Sequence, residues 1–175
     1  MRAGEPKDRS ERVPVYVALG ANLGDAEATV RQAMDALDRL PLSRLLRRSS
    51  LYRTAPVARD SAARADGPDY INAVVALETA LPPLDLLDRL QALELAAGRE
   101  RPYPDAPRTL DLDLLLYGDA RMDSTRLSVP HPSMGQRAFV LVPLAEIAPQ
   151  LVSAAQLEAV AGQTIQRLPE VSLRT

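Results

Sequence analysis

The chain has 175 residues, 46% hydrophobic and 25% charged, with a net charge of −2. That is the size and balance of one globular domain with a full core, and it weighs against nucleic-acid binding by bulk positive charge. The absence of cysteine excludes disulfides, thiolate metal ligands and a cysteine nucleophile. Lys7 is the only lysine, so a P-loop or Schiff-base lysine has no residue to use, and arginine, whose planar fork suits bidentate phosphate contacts, must serve instead.

The opening MRAGEPKDRSER is polar and lacks the apolar segment of a secretory signal. Residues 1–12 are expected to form a disordered leader, with 13–175 as a single domain. The run 13-VPVYVALG-20 reads as a strand. After 21-ANLGD-25, Asp25 is the expected N-cap of a helix over 26–40, on which Val30, Ala33, Met34, Leu37 and Leu40 recur at helical spacing. A turn that caps this helix accounts for 20-GANLG-24, which is not a dinucleotide-binding loop. An extended segment is expected over 43–54, then a long loop to residue 69, and a strand over 70-YINAVVALET-79. Long loops in compact domains tend to be functional. Pro82 and Pro83 open a second helix over 84–98, with Leu86, Leu90, Leu93 and Ala97 on its core face and Gly98 as its stop. A Pro- and Arg-bearing loop, 99-RERPYPDAPR-108, leads into another strand, and a short return at 121–132 precedes a last apolar stretch at 138–148. Residues 150–175 are weakly patterned and expected to be peripheral. No apolar run reaches the ~20 residues of a membrane span, which points to a cytoplasmic protein. The order β-α-β-β-α-β predicts an α+β, ferredoxin-like antiparallel sheet with helices packed on one face.

The stretch 107-PRTLDLDLLLYG-118 carries the most chemistry. Its period of two predicts Leu110, Leu112, Leu114 and Leu116 on one face, with Asp111 and Asp113 about 6.6 Å apart on the other. A solvated strand face accounts for a bare Asp-x-Asp. So does a pair holding one divalent cation, or bridging two that lie ~3.5–4 Å apart; Mg²⁺ is the oxygen-loving choice where phosphates complete the shell. The flanks favour the metal. Arg99, Arg101 and Arg108 precede the pair, and Arg126, His131 and Arg137 follow it. Carboxylates with converging cations are what a polyphosphate bound through Mg²⁺ requires. His131, between two prolines, either donates to a phosphate or packs locally. In 68-PDYINA-73, strand alternation sets Tyr70 and Asn72 on one face. An asparagine there can read the edge of a planar heterocycle or satisfy local backbone.

Six stretches in this order, 17-VALGANLGD-25, 51-LYRTAPV-57, 69-DYINAVVALET-79, 91-QALELAAGRER-101, 107-PRTLDLDLLLYG-118 and 129-VPHPSMGQRAFVLVPLAEIAP-149, resemble the 6-hydroxymethyl-7,8-dihydropterin pyrophosphokinases of folate biosynthesis. The resemblance implies a ferredoxin-like fold with three mobile loops and transfer of pyrophosphate from ATP to the pterin hydroxymethyl group, releasing AMP. It implies two Mg²⁺ ions on Asp111 and Asp113, with Arg99 and Arg108 alongside them in catalysis. Arg99, Arg101, Arg108, Arg126, His131 and Arg137 would contact the triphosphate, and Leu87, Gln91, Glu94, Leu114 and Ser128 would line the ATP site. Thr54, Val57, Tyr70, Asn72 and Phe139 would form the pterin pocket, with Phe139 stacking on the ring. The partners implied are these small molecules, with no nucleic acid and no membrane, and a monomer suffices.

The chain departs from the family pattern at 103-YPDAP-107, where a tryptophan usually closes over the substrates; this chain has none, and Tyr103 is the aromatic nearest that role. Ala55 and Pro132 replace a common proline and a common aromatic at the site's edge. Two rival classes differ in their needs. A palm-type nucleotidyl transferase or cyclase also pairs aspartates on such a sheet, but releases pyrophosphate and has no use for a Tyr70/Asn72 pocket. An RNA-binding sheet needs several surface aromatics, and Tyr16 is the only one on the first strand.

Overall fold

A computed structural model describes residues 11–56, 67–98 and 109–170. In chain order the elements are β1 (Val13–Ala21), α1 (Ala26–Asp38), β2 (Ser43–Arg48), β3 (Tyr52–Thr54), β4 (Tyr70–Thr79), α2 (Pro83–Ala97), β5 (Asp111–Tyr117), β6 (Met122–Asp123), β7 (Ser128–Val129), α3 (Ala138–Ile147), α4 (Ala154–Ala159) and β8 (Gln166–Arg167). The sheet runs β5-β1-β4-β3-β8, and β2 shares the β3 side of β4. Every pairing is antiparallel. With β4 inserted between β1 and the β2/β3 strand, this is the expected split βαβ arrangement. Of the expected leader, residues 1–10 lie outside the described residues, and Arg12 pairs with Glu78 at 3.6 Å.

Both expected helices form, α1 for the expected reasons and α2 with two departures. The Asp25 carboxylate caps α1, accepting from the Ala28 N–H at 3.1 Å, and Val30, Ala33, Met34, Leu37 and Leu40 are all buried. Leu86 and Leu90 of α2 are fully buried, but Ala97 is exposed, because the last turn of α2 runs past the edge of the core. Helix α2 ends at Gly98 in an extended conformation, with φ −146°, so the glycine is not a left-handed stop. It is there because a Cβ would come within 2.7 Å of Thr109 Oγ1.

The expected single segment over 43–54 is two strands. Ser49 breaks it while keeping its place on β4: its N–H donates to the Val74 carbonyl and its hydroxyl accepts from the Val74 N–H, both at 2.9 Å. Leu110, just before β5, and Leu112 and Leu114 within it share the face covered by α1 and α2, but Leu116 does not. The register to β1 shifts between Tyr16 and Val17, leaving Leu115 as an extra residue. Leu115 and Leu116 therefore both turn to the opposite face.

That opposite face is covered too, contrary to the expectation of helices on one side. The apolar stretch at 138–148 folds as α3, whose Val140, Leu141 and Leu144 pack on Ala18, Val74, Ala76 and Leu115. Residues 71–77 of β4 are consequently all buried. The C-terminal region is not peripheral: Val152 and Val160 join this second core and Leu168 the first, while β8 extends the sheet beyond β3.

Candidate active site

One row of the sheet gathers the polar residues. Asp111 on β5 lies opposite Gly20 on β1, Gly20 opposite Asn72 on β4, and Asn72 opposite Tyr52 on β3. Residues directly opposite in antiparallel strands point to the same face, here the α3 face, one row beyond the Ala18–Val74 pair that α3 covers. Asp113 pairs with Ala18 and, on the edge strand, stays exposed. Both carboxylates thus share a face, as the alternation predicts. Asn72 is buried, and its Nδ2 donates to Thr54 Oγ1 at 2.8 Å. Its carbonyl lies against Gly20, where a Cβ would sit 3.2 Å from Oδ1. Gly20 therefore makes room for Asn72 rather than for a turn.

Tyr70 lies opposite Thr54, on this same face. Burial chiefly, and the Asp111 carboxylate next, hold its hydroxyl above the ordinary tyrosine value. Phe139, in the first turn of α3, is half-buried against the second core. The Arg137 guanidinium stands over its ring, 5.3 Å from the centroid.

A cleft of about 200 Å³ opens beside this row, between α2, β5 and the hairpin of β6 and β7. Leu87, Asp113, Leu114, Arg126, Ser128 and His131 line it. Arg126 donates to Asp88 at 2.6 Å and lies 3.5 Å from Gln91 Oε1. Ser128 donates to Asp123 at 3.3 Å. The His131 N–H donates to the Leu115 carbonyl at 2.9 Å, and its Nδ1 accepts from the Ser133 N–H at 3.2 Å, so the ring is turned by its own loop. Glu94 projects from α2 to the outer edge of β5, accepting from the Leu112 N–H at 3.1 Å.

The structure thus brings Thr54, Tyr70, Asn72, Asp111 and Asp113 onto one face of the sheet, and sets Leu87, Leu114, Arg126, Ser128 and His131 around the adjoining cleft. Gln91 and Glu94 stand on the helix beside it. Val57, Arg99, Arg101, Tyr103 and Arg108 lie outside the described residues. Among the described residues, no cluster of three or more carboxylate or histidine side chains forms. Asp111 and Asp113 offer hard oxygen donors but only two side chains, a set that suits a cation whose remaining ligands are phosphate and water.

Two features escaped the sequence reading. A glycine inside a strand signals close approach of another group, and Gly20 carried that signal. Glu146 gave none. It accepts from the Ser50 N–H at 2.9 Å, the Ser50 hydroxyl at 2.8 Å and the Tyr52 hydroxyl at 2.7 Å, tying α3 to the strand next to Asn72.

Residues 16–149 match the family described as 7,8-dihydro-6-hydroxymethylpterin-pyrophosphokinase (HPPK). A Pseudomonas aeruginosa protein named 2-amino-4-hydroxy-6-hydroxymethyldihydropteridine pyrophosphokinase is 52% identical over 137 residues, covering 78% of this chain and 82% of its own length. Proteins of the same name from Haemophilus influenzae and Bacillus subtilis are 44% identical over 140 residues and 39% identical over 151. They cover 80% and 86% of this chain, and 84% and 85% of their own lengths. A Plasmodium falciparum HPPK-DHPS crystal structure superposes with a TM-score of 0.60 at 14% identity over 79% of this chain. An HPPK-DHPS structure in complex with substrates gives 0.61 at 13% over 79%. At such identity the likeness shows the fold alone, and the chain spans 42% and 40% of those longer proteins.

Proposed function

The chain belongs to the 7,8-dihydro-6-hydroxymethylpterin-pyrophosphokinase family, and on that premise we propose how its residues divide the family's work. The reaction moves pyrophosphate from ATP to the hydroxymethyl group of 6-hydroxymethyl-7,8-dihydropterin, a step of folate biosynthesis, and releases AMP. The observation that carries the residue assignment is the row Asn72–Gly20–Asp111. Two strand spacings, about 10 Å, separate the amide that reads a heterocycle from the carboxylate that faces phosphate. A flat bicyclic ring with its hydroxymethyl arm fits between them.

In this reading Asn72 and Thr54 hold the polar edge of the pterin, Phe139 stacks on its face, and Tyr70 and Val57 complete the pocket. Leu87, Leu114 and Ser128 hold ATP in the adjoining cleft, with Gln91 and Glu94 from α2. Asp111 and Asp113 are the ligands for Mg²⁺, two ions in all. The metal supplies charge neutralisation between the carboxylates and the phosphates. Arg126, His131 and Arg137 clamp the outer oxygens, together with Arg99, Arg101 and Arg108. The hydroxymethyl oxygen forms a bond to the β-phosphorus as the bond from that phosphorus to the AMP oxygen breaks, and the hydroxyl proton leaves to solvent. Alignment and electrostatics supply the acceleration, as in other phosphoryl transfers. Action as a cytoplasmic monomer belongs to the same reading. One chain provides every named group, and among the described residues no helix is long and apolar enough to cross a membrane.

The test is a product assay with ATP, Mg²⁺ and the pterin. AMP that forms only when pterin is present, without free pyrophosphate, is the expected result. Free pyrophosphate independent of pterin would assign the aspartate pair to nucleotidyl transfer instead.

A further inference from the structure

Gln163 lies beyond the residues that match the family and has no part in the reading above. Its side-chain amide is spent on one backbone position. Oε1 accepts from the Ala138 N–H and Nε2 donates to the Gln136 carbonyl, both at 2.9 Å. These groups belong to the two peptide units flanking Arg137. Because each unit is planar, φ of Arg137 swings the first and ψ the second. The two bonds therefore pin both torsions, at −127° and 117°.

The clasp also completes α3. Arg137 is its N-cap but makes no side-chain capping bond, so the Ala138 N–H, one of the donors a helix start leaves open, is met by Gln163. The clasp is itself anchored. The Gln163 N–H donates to the Val160 carbonyl at 3.0 Å, and Val160 is buried in the core under α3. At the far end of the same helix, Arg167 lies 3.5 Å from Glu146 and donates to Ser50 Oγ at 3.0 Å. The C-terminal segment thus holds α3 at both ends.

We propose that Gln163 is a positioning residue for both substrates. It fixes the backbone from which Arg137 reaches phosphate and Phe139 reaches the pterin ring. The inference rests on the roles given to those two side chains above. It requires an amide: glutamate at this place accepts but cannot donate, and methionine fills the shape with neither bond.

Steady-state kinetics on the full chain test it, using Gln163→Met, Gln163→Glu, Arg137→Ala, Phe139→Ala and the double variant R137A/Q163M, with thermal unfolding followed for each. Gln163→Met is expected to raise the KM for ATP and for pterin about tenfold, the scale of one or two lost hydrogen bonds, with kcat within about twofold. Gln163→Glu, keeping one bond, falls between it and the parent. In the Arg137→Ala background, Gln163→Met no longer changes the KM for ATP but still raises that for pterin. A merely structural role would lower Tm without this dependence on background. The inference is overturned if Gln163→Met leaves both KM values unchanged while Arg137→Ala raises that for ATP, or if its ATP effect survives in the Arg137→Ala background. Silence of Arg137→Ala and Phe139→Ala is a different result: the roles of those side chains fail, and the inference with them.

Discussion

The two carboxylates of β5 differ in environment, and that decides which substitution is informative. Asp113 is exposed on an edge strand and lines the cleft, so its removal leaves no cavity and no orphaned partner. Asp113→Ala should abolish AMP formation while changing the unfolding free energy, followed by urea denaturation, by no more than ~0.5 kcal/mol, the usual range for a surface site. Near-normal turnover would remove the metal role. Gly20 offers a sharper probe of the pterin side. A Cβ there would sit 3.2 Å from Asn72 Oδ1, and Asn72 cannot retreat without straining its 2.8 Å bond to Thr54. Gly20→Ala should raise the KM for pterin about tenfold, because ~1–2 kcal/mol of hydrogen bonding is at stake, and leave that for ATP nearly unchanged. Equal effects on both would mean that the row does not separate the two substrates. Asn72 and Asp111 stood out in the sequence because each is a polar residue set inside an apolar strand. The strand-glycine signal of Gly20 is masked by the helix-capping turn that follows it, and the group that requires a glycine there lies on a neighbouring strand.

Among the elements, those with a regular period were legible and those built from single contacts were not. Helix α1 repeats its apolar residues at helical spacing and carries its cap in Asp25; nothing in the tertiary structure had to intervene. The break between β2 and β3 is made by one hydroxyl, that of Ser49, standing in for a backbone carbonyl, and serine in an extended run does not announce this. The bulge at Leu115 is equally silent, since four leucines in alternation read the same with or without it. The C-terminal segment hides its role in another way. Its buried residues, Val152, Val160 and Leu168, are too far apart to share a period, yet each plugs a different part of the two cores. Leu168 follows β8, and its N–H donates to the Leu51 carbonyl at 2.8 Å. Leu168→Ala should therefore destabilise the fold by about 2–4 kcal/mol, whereas Thr164→Ala, exposed in the same segment, should stay within ~0.5 kcal/mol. Urea denaturation of the two variants separates a core role for the segment from a peripheral one.

At the scale of the molecule, Glu146 is where α3, β3, β8 and the Ser49–Ser50 break meet. Burial pushes the Glu146 carboxyl upward, but hydrogen bonds from the Tyr52 hydroxyl and from the Ser50 N–H and hydroxyl, with the charge of Arg167, outweigh it and hold the group below its ordinary value of 4.5. The folded state therefore binds this proton less readily than the unfolded chain does. The stability it contributes is fully present above the unfolded value and is lost as pH falls through the lower folded value. Tyr52 sets the opposite limit. Burial first, then its hydrogen bond to Glu146 and that carboxylate's charge, raise it above 10.0. Its contribution is complete below the unfolded value and is lost as pH rises through the higher folded one. The same network thus bounds stability from both sides. Urea midpoints measured across acid, neutral and alkaline pH should fall on both limbs in the parent chain. Glu146→Gln should flatten the acid limb, and Tyr52→Phe should reduce the alkaline limb without abolishing it, because burial raises Tyr70 and Tyr117 in the same direction. Parallel pH profiles for the parent and Glu146→Gln would mean that the carboxylate is solvated in the folded chain, and that α3 is held on the sheet by its apolar face, the Gln163 clasp and the Arg47 guanidinium, which donates to the Ile147 carbonyl at 3.1 Å.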